Sequence, residues 1–133
     1  MTVLLADDSL LILERLHQAI ARHSEITIIG SFSNGTDTLN AIRSQKPNLA
    51  IIDIKMPGLT GLEVLQKSKE EELDTRFIIL TFYSSKYFRE MAIEAGAEYF
   101  FSKADDFELM TQVVEEMVAQ EAVQSFVRSD PGK

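Results

Sequence analysis

Five short, dense apolar runs recur along the chain at nearly even spacing: Val3 to Ala6, Ile26 to Gly30, Leu49 to Ile52, Phe77 to Leu80 and Tyr99 to Phe101. Each is continuous rather than alternating and rich in β-branched or aromatic residues, the pattern of strands buried on both faces. Between them the apolar period changes to that of a helix. Ser9 is placed to cap a segment in which Leu13, Leu16 and Ile20 recur at helical spacing. Asn34 caps a second, carrying Leu39 and Ile42, which must end before Pro47. A third follows Pro57 and Gly58 with Leu62 and Leu65 inward and dissolves in the charged stretch Glu70 to Asp74. The fourth runs from about Ser85 to Ala95 with Phe88, Met91 and Ala95 as its apolar face, and Gly96 stands where a left-handed C-cap belongs. The fifth begins near Asp105 and Asp106 and carries Met110, Val113, Val114 and Met117. Strands and helices in strict alternation predict an α/β domain: a five-stranded parallel sheet, right-handed crossovers, helices on both faces.

Several function classes fall away on composition. The chain has 133 residues, one domain's worth, and no Cys, so thiol catalysis, zinc-thiolate sites and disulfides are excluded. Its two His lack metal-ligand spacing. A net charge of -8 disfavours direct binding to nucleic acid or to an anionic membrane. No apolar stretch approaches the ~20 residues that span a bilayer, and the sequence reads as that of a cytosolic protein.

In open parallel sheets the functional site lies outside the carboxyl ends of the strands, where strand order reverses. Those ends carry Asp7 and Asp8 after the first run, Asp53 after the third, Thr81 after the fourth, and Ser102 with Lys103 after the fifth. Three converging carboxylates repel one another unless a cation is present. Oxygen ligands and a need for open positions suit Mg²⁺. A carboxylate nucleophile, Mg²⁺, a hydroxyl and an ammonium together form a phosphoryl-transfer site.

Asp7-Asp8-Ser9, the stretch Asp53-Ile54-Lys55-Met56-Pro57-Gly58-Leu59-Thr60-Gly61, Thr81, and Lys103 seven residues past Gly96 closely resemble the CheY-like receiver domain of bacterial two-component response regulators. The resemblance spans about Thr2 to Val118 and implies a flavodoxin-like (βα)5 three-layer sandwich. It implies that Asp53 accepts a phosphoryl group from a sensor histidine kinase, a histidine phosphotransfer protein or a small phosphodonor. Mg²⁺ would be held by Asp8, Asp53 and the backbone carbonyl of Lys55, with Asp7 helping directly or through water. Lys103 would pair with the phosphoryl oxygens, Thr81 would swing toward them, and Phe100 would flip as the coupled aromatic switch. The family's frequent Lys-Pro step is Lys103-Ala104 here, which disfavours a cis bond. Lys55 and Tyr83 occupy positions that, by the same resemblance, would tune phosphoryl lifetime.

The domain is expected over residues 1–118 with a helical or flexible tail over 119–133. The protein is read as a switch rather than a turnover enzyme, acting alone on a downstream protein target, with homodimerisation as a family expectation. Three alternatives stand beside it: the receiver portion of a longer DNA-binding transcription factor, a phosphorylation-independent binding module, and a haloacid-dehalogenase-like phosphatase. The last expects an acid two residues after the nucleophile, where this chain has Lys55.

Overall fold

The computed structural model describes the backbone of residues 1–128 and the side chains of residues 1–124. In chain order the elements are β1 (Thr2–Ala6), α1 (Leu10–Ile20), β2 (Thr27–Phe32), α2 (Gly35–Gln45), β3 (Leu49–Ile52), α3 (Gly61–Glu70), β4 (Arg76–Thr81), α4 (Lys86–Ala95), β5 (Tyr99–Ser102) and α5 (Phe107–Arg128). All strand pairs are parallel, in the order β2-β1-β3-β4-β5. The strand order reverses between β1 and β3, so this is the switch point.

Alternate residues of each strand feed two cores. Leu4, Ile52, Phe77, Ile79 and Phe100 pack under α2, α3 and α4, while Val3, Ile51, Ile78, Leu80 and Phe101 pack under α1 and α5. Leu65, Ile42, Leu16 and Met110 close these layers and are almost inaccessible to water; burying a side chain of that size contributes about 2 kcal/mol. The caps at Ser9, Asn34, Thr60 and Ser85 each accept a backbone N–H from the first turn of the following helix. At Thr60 the Glu63 carboxylate returns the bond to the cap's own N–H, a complete capping box. Gly96 ends α4 at φ 110°, the left-handed value expected of it.

Three details differ from the pattern. β2 is an edge strand and only partly buried, so it is not covered on both faces. In α4 the expected stripe of Phe88, Met91 and Ala95 is half-buried, and Ala92 is the residue fully enclosed. α5 starts at Phe107, directly after Asp105 and Asp106 as expected, but the Asp106 carboxylate turns back to accept the Ser102 N–H at 2.9 Å instead of capping the helix. The last helix runs unbroken past Val118 to Arg128, although core positions end with Met117 and Val118. The Ser, Pro and Gly of residues 129–133 lie outside the described residues. No peptide bond among the described residues is cis, in keeping with Ala104 after Lys103.

Candidate functional site

The register carries the site. Ala6 pairs with Ile52, so Asp7 and Asp53 leave the sheet side by side, and the Asp53 N–H donates to the Ala6 carbonyl at 3.0 Å. Thr81 pairs with Ser102, which sets Lys103 opposite, its N–H donating to the Thr81 carbonyl at 2.9 Å. Two glycines let the loop after β3 close over this end. Gly58 takes φ 76°, and a Cβ on Gly61 would stand 2.0 Å from the Asp53 carbonyl oxygen. The chain therefore passes directly against the backbone of Asp53 as α3 begins.

Lys103 Nζ lies 2.5 Å from Asp7 Oδ2 and 2.8 Å from Asp53 Oδ2, with all three side chains buried. The other oxygens are held by the backbone: Asp7 Oδ1 accepts from Ser9 N–H at 2.9 Å, and Asp53 Oδ1 from Ile54 N–H at 2.7 Å. Burial pushes the Asp7 carboxyl above its ordinary range, and bonds from Lys103 and Ser9 offset this only in part. Burial alone would lower the Lys103 ammonium, but hydrogen bonds from Nζ to Asp53 and Asp7 and their charges prevail and raise it. Exposed Asp8 completes the group: one carboxylate oxygen from each of Asp7, Asp8 and Asp53 lies within 4.8 Å of the others. Three hard oxygen donors against one ammonium leave surplus negative charge, a donor set that fits Mg²⁺.

The sequence singled out two further groups of residues. Thr81 is buried at the end of β4, and its hydroxyl accepts the Tyr83 N–H at 3.1 Å. The exposed Lys55 side chain leans over the Tyr83 ring at 5.4 Å. Phe100 does not join the cluster; it lies 3 % exposed in the core beneath α4. Two neighbours escaped the sequence reading. Phe82 stands over Lys103, its ring centroid 5.2 Å from Nζ. Arg89 covers Phe100, with its guanidinium carbon 4.9 Å from the ring centroid. The apolar run of β4 ends at Leu80 in the sequence, so Phe82 has no place in its pattern; the only signal is an aromatic directly after a strand-end Thr.

A parallel α/β sheet with this strand order, and with acids and an ammonium gathered at its switch point, defines a receiver-type domain. The chain belongs to the response regulator receiver domain family, whose sequence pattern matches residues 3–123. It is similar to the nitrate/nitrite response regulator protein NarL of Escherichia coli (strain K12), 30% identical over 93% of this chain and 57% of the relative. It is also similar to the transcriptional regulatory protein YhcZ of Bacillus subtilis (strain 168), 31% identical over 74% of this chain and 46% of the relative. The chain spans about half the length of these curated relatives. Among solved structures it resembles a DNA-binding response regulator of the LuxR family from Staphylococcus aureus, with TM-score 0.81 and 27% identity over 88% of this chain and 98% of that one. The protein is thus a response regulator receiver, a signalling module of two-component systems. Among the described residues no helix is long and apolar enough to cross a membrane.

Proposed function

We propose that Asp53 is the phosphoacceptor, taking its phosphoryl group from a phosphohistidine on a sensor kinase or histidine phosphotransfer protein. The observation that carries this reading is the buried contact of Lys103 with Asp53 and Asp7 beside the exposed Asp8. A carboxylate oxygen of Asp53 attacks phosphorus as the P–N bond breaks; the electron pair stays on the imidazole nitrogen. Lys103 shifts from Asp53 Oδ2 onto the incoming phosphoryl oxygens, which keeps the ammonium paired throughout. Asp8, Asp53 and the Lys55 carbonyl would hold Mg²⁺, with Asp7 acting directly or through water. When bound, that ion neutralises charge developing on the phosphoryl oxygens.

The response starts at Thr81, whose hydroxyl, accepting the Tyr83 N–H, turns to donate its own hydrogen to a phosphoryl oxygen. Phe100 then moves with the α4-β5-α5 face, the surface offered to a downstream protein or to a second copy. The only substrate of this chemistry is the domain itself. A net charge of -8 supports output through protein contact. The relatives are longer, and one of them is a transcriptional regulatory protein, which is compatible with a second reading in which this receiver controls an attached DNA-binding domain. The reading frame past the Lys133 codon separates the two.

The phosphoacceptor is tested by intact mass after incubation with acetyl phosphate and Mg²⁺. One phosphoryl group gained, and lost with EDTA or in Asp53→Asn, is the expected result. A folded protein that gains nothing sinks the phospho-switch and leaves a phosphorylation-independent binding module.

A further inference from the structure

Phe82, the first residue beyond β4, turns a large ring toward solvent, 62 % exposed. Burial does not hold it there. The ring instead faces Lys103 Nζ at 5.2 Å, the same ammonium that bonds Asp53 Oδ2 at 2.8 Å. Phe82 is thus one side chain away from the phosphoacceptor. Beside it Tyr83 meets Phe88 edge to face at 6.0 Å and receives Lys55 from the loop after β3. The segment between β4 and α4 therefore raises an aromatic wall next to the acid cluster, and its foremost ring has an open face.

Resting on the reading of Asp53 as phosphoacceptor, we infer that Phe82 selects the phosphoryl donor by its leaving group. The exposed face of the ring stacks the flat imidazole of an N-phosphorylated imidazole, the chemistry of a phosphohistidine, while Asp53 attacks phosphorus. The Asp53 oxygen–phosphorus bond forms and the phosphorus–nitrogen bond breaks. Its electron pair remains on a ring that, already protonated at its other nitrogen, leaves as neutral imidazole. Ammonia leaving from phosphoramidate, or acetate leaving from acetyl phosphate, presents no such plane to Phe82. The attraction of Lys103 for the other side of the ring keeps it in position before the donor arrives, so little ordering is left for the encounter.

The test compares rates of Asp53 phosphorylation by monophosphoimidazole and by phosphoramidate, both of which break a phosphorus–nitrogen bond but only one of which carries a ring. Timed samples with Mg²⁺ are read by intact mass. Offset stacking predicts that Phe82→Ala lowers the monophosphoimidazole-to-phosphoramidate rate ratio about five-fold. Phe82→Leu, similar in bulk but without a π face, should lower it as well, and Phe82→Tyr should retain it. A ratio unchanged in Phe82→Ala, or kept by Phe82→Leu, overturns the inference while leaving Asp53 as acceptor. If the folded wild type takes no phosphoryl group from either donor, the Asp53 reading fails and the inference falls with it.

Discussion

Arg89 of α4 holds Phe100 of β5 in two ways: its guanidinium lies 4.9 Å over the ring, and Nη1 donates to the Phe100 carbonyl at 3.3 Å. The buried aromatic is thereby tied to a helix whose own apolar face is only half covered. Arg89→Ala should cost about 1 kcal/mol, the value of a partly exposed cation–π contact. It should also speed amide exchange across Lys86–Ala95 and Tyr99–Ser102 while β1 stays protected. Unchanged exchange in α4 would show that Arg89 does not restrain the proposed switch.

Among the described residues Lys103 is the one cation touching both Asp7 and Asp53. Removing it leaves two buried carboxylates uncompensated, and losing one partner of a buried pair typically costs about 3 kcal/mol. Lys103→Ala should therefore lower the urea midpoint strongly without Mg²⁺ and much less with it. A midpoint like that of the wild type in metal-free buffer would mean the carboxylates are hydrated well enough to stand alone.

The alternation of apolar runs and helical periods specified the layers, because a strand covered on both faces has few other ways to read. Cluster residues Asp7, Asp53 and Lys103 were likewise visible, since each stands within two residues of the end of such a run. What escaped is what periodicity does not encode. Burial on β2 depends on its being at the sheet's edge, a matter of strand order. Asp106 has the composition of a helix start, yet its carboxylate is drawn to the Ser102 N–H, a competition between two backbone donors that only the fold decides. Phe82 and Arg89 act through charge over a ring, a contact between elements with no signature in local sequence.

Surplus negative charge in the acid cluster makes a divalent cation stabilising. Mg²⁺ at one hundred times its dissociation constant should add about 2.7 kcal/mol, seen as a higher Tm that EDTA reverses. Asp8→Asn removes an exposed carboxylate charge and spares the buried ion pairs. It should raise the metal-free Tm slightly and abolish most of the Mg²⁺ shift. An equal shift in both proteins would remove Asp8 from the ligand set.

Ser68 lies on the buried face of α3 with a hydroxyl that has no hydrogen-bond partner. An unsatisfied buried polar group costs about 1 kcal/mol or more. Ser68→Ala keeps the helix and removes the penalty, so urea denaturation should show a gain of about 1 kcal/mol. A loss instead would show that the hydroxyl fills space the methyl leaves empty.

Arg76 at the start of β4 grips Glu98, just before β5, with two bonds of 2.8 and 2.7 Å. Chiefly through that bidentate hydrogen bond, the Glu98 carboxyl is held below its ordinary value of 4.5. A depressed carboxyl stabilises the fold fully above its unfolded pKa, and the contribution disappears as pH falls through the lower, folded one. Both side chains are more than a third exposed, so screening limits the pair to about 0.5 kcal/mol. Glu98→Gln should thus lose that amount near pH 7 and converge with the wild type below the carboxylate range. Parallel stability curves down to strongly acid pH would show that the pair is worth nothing in solution.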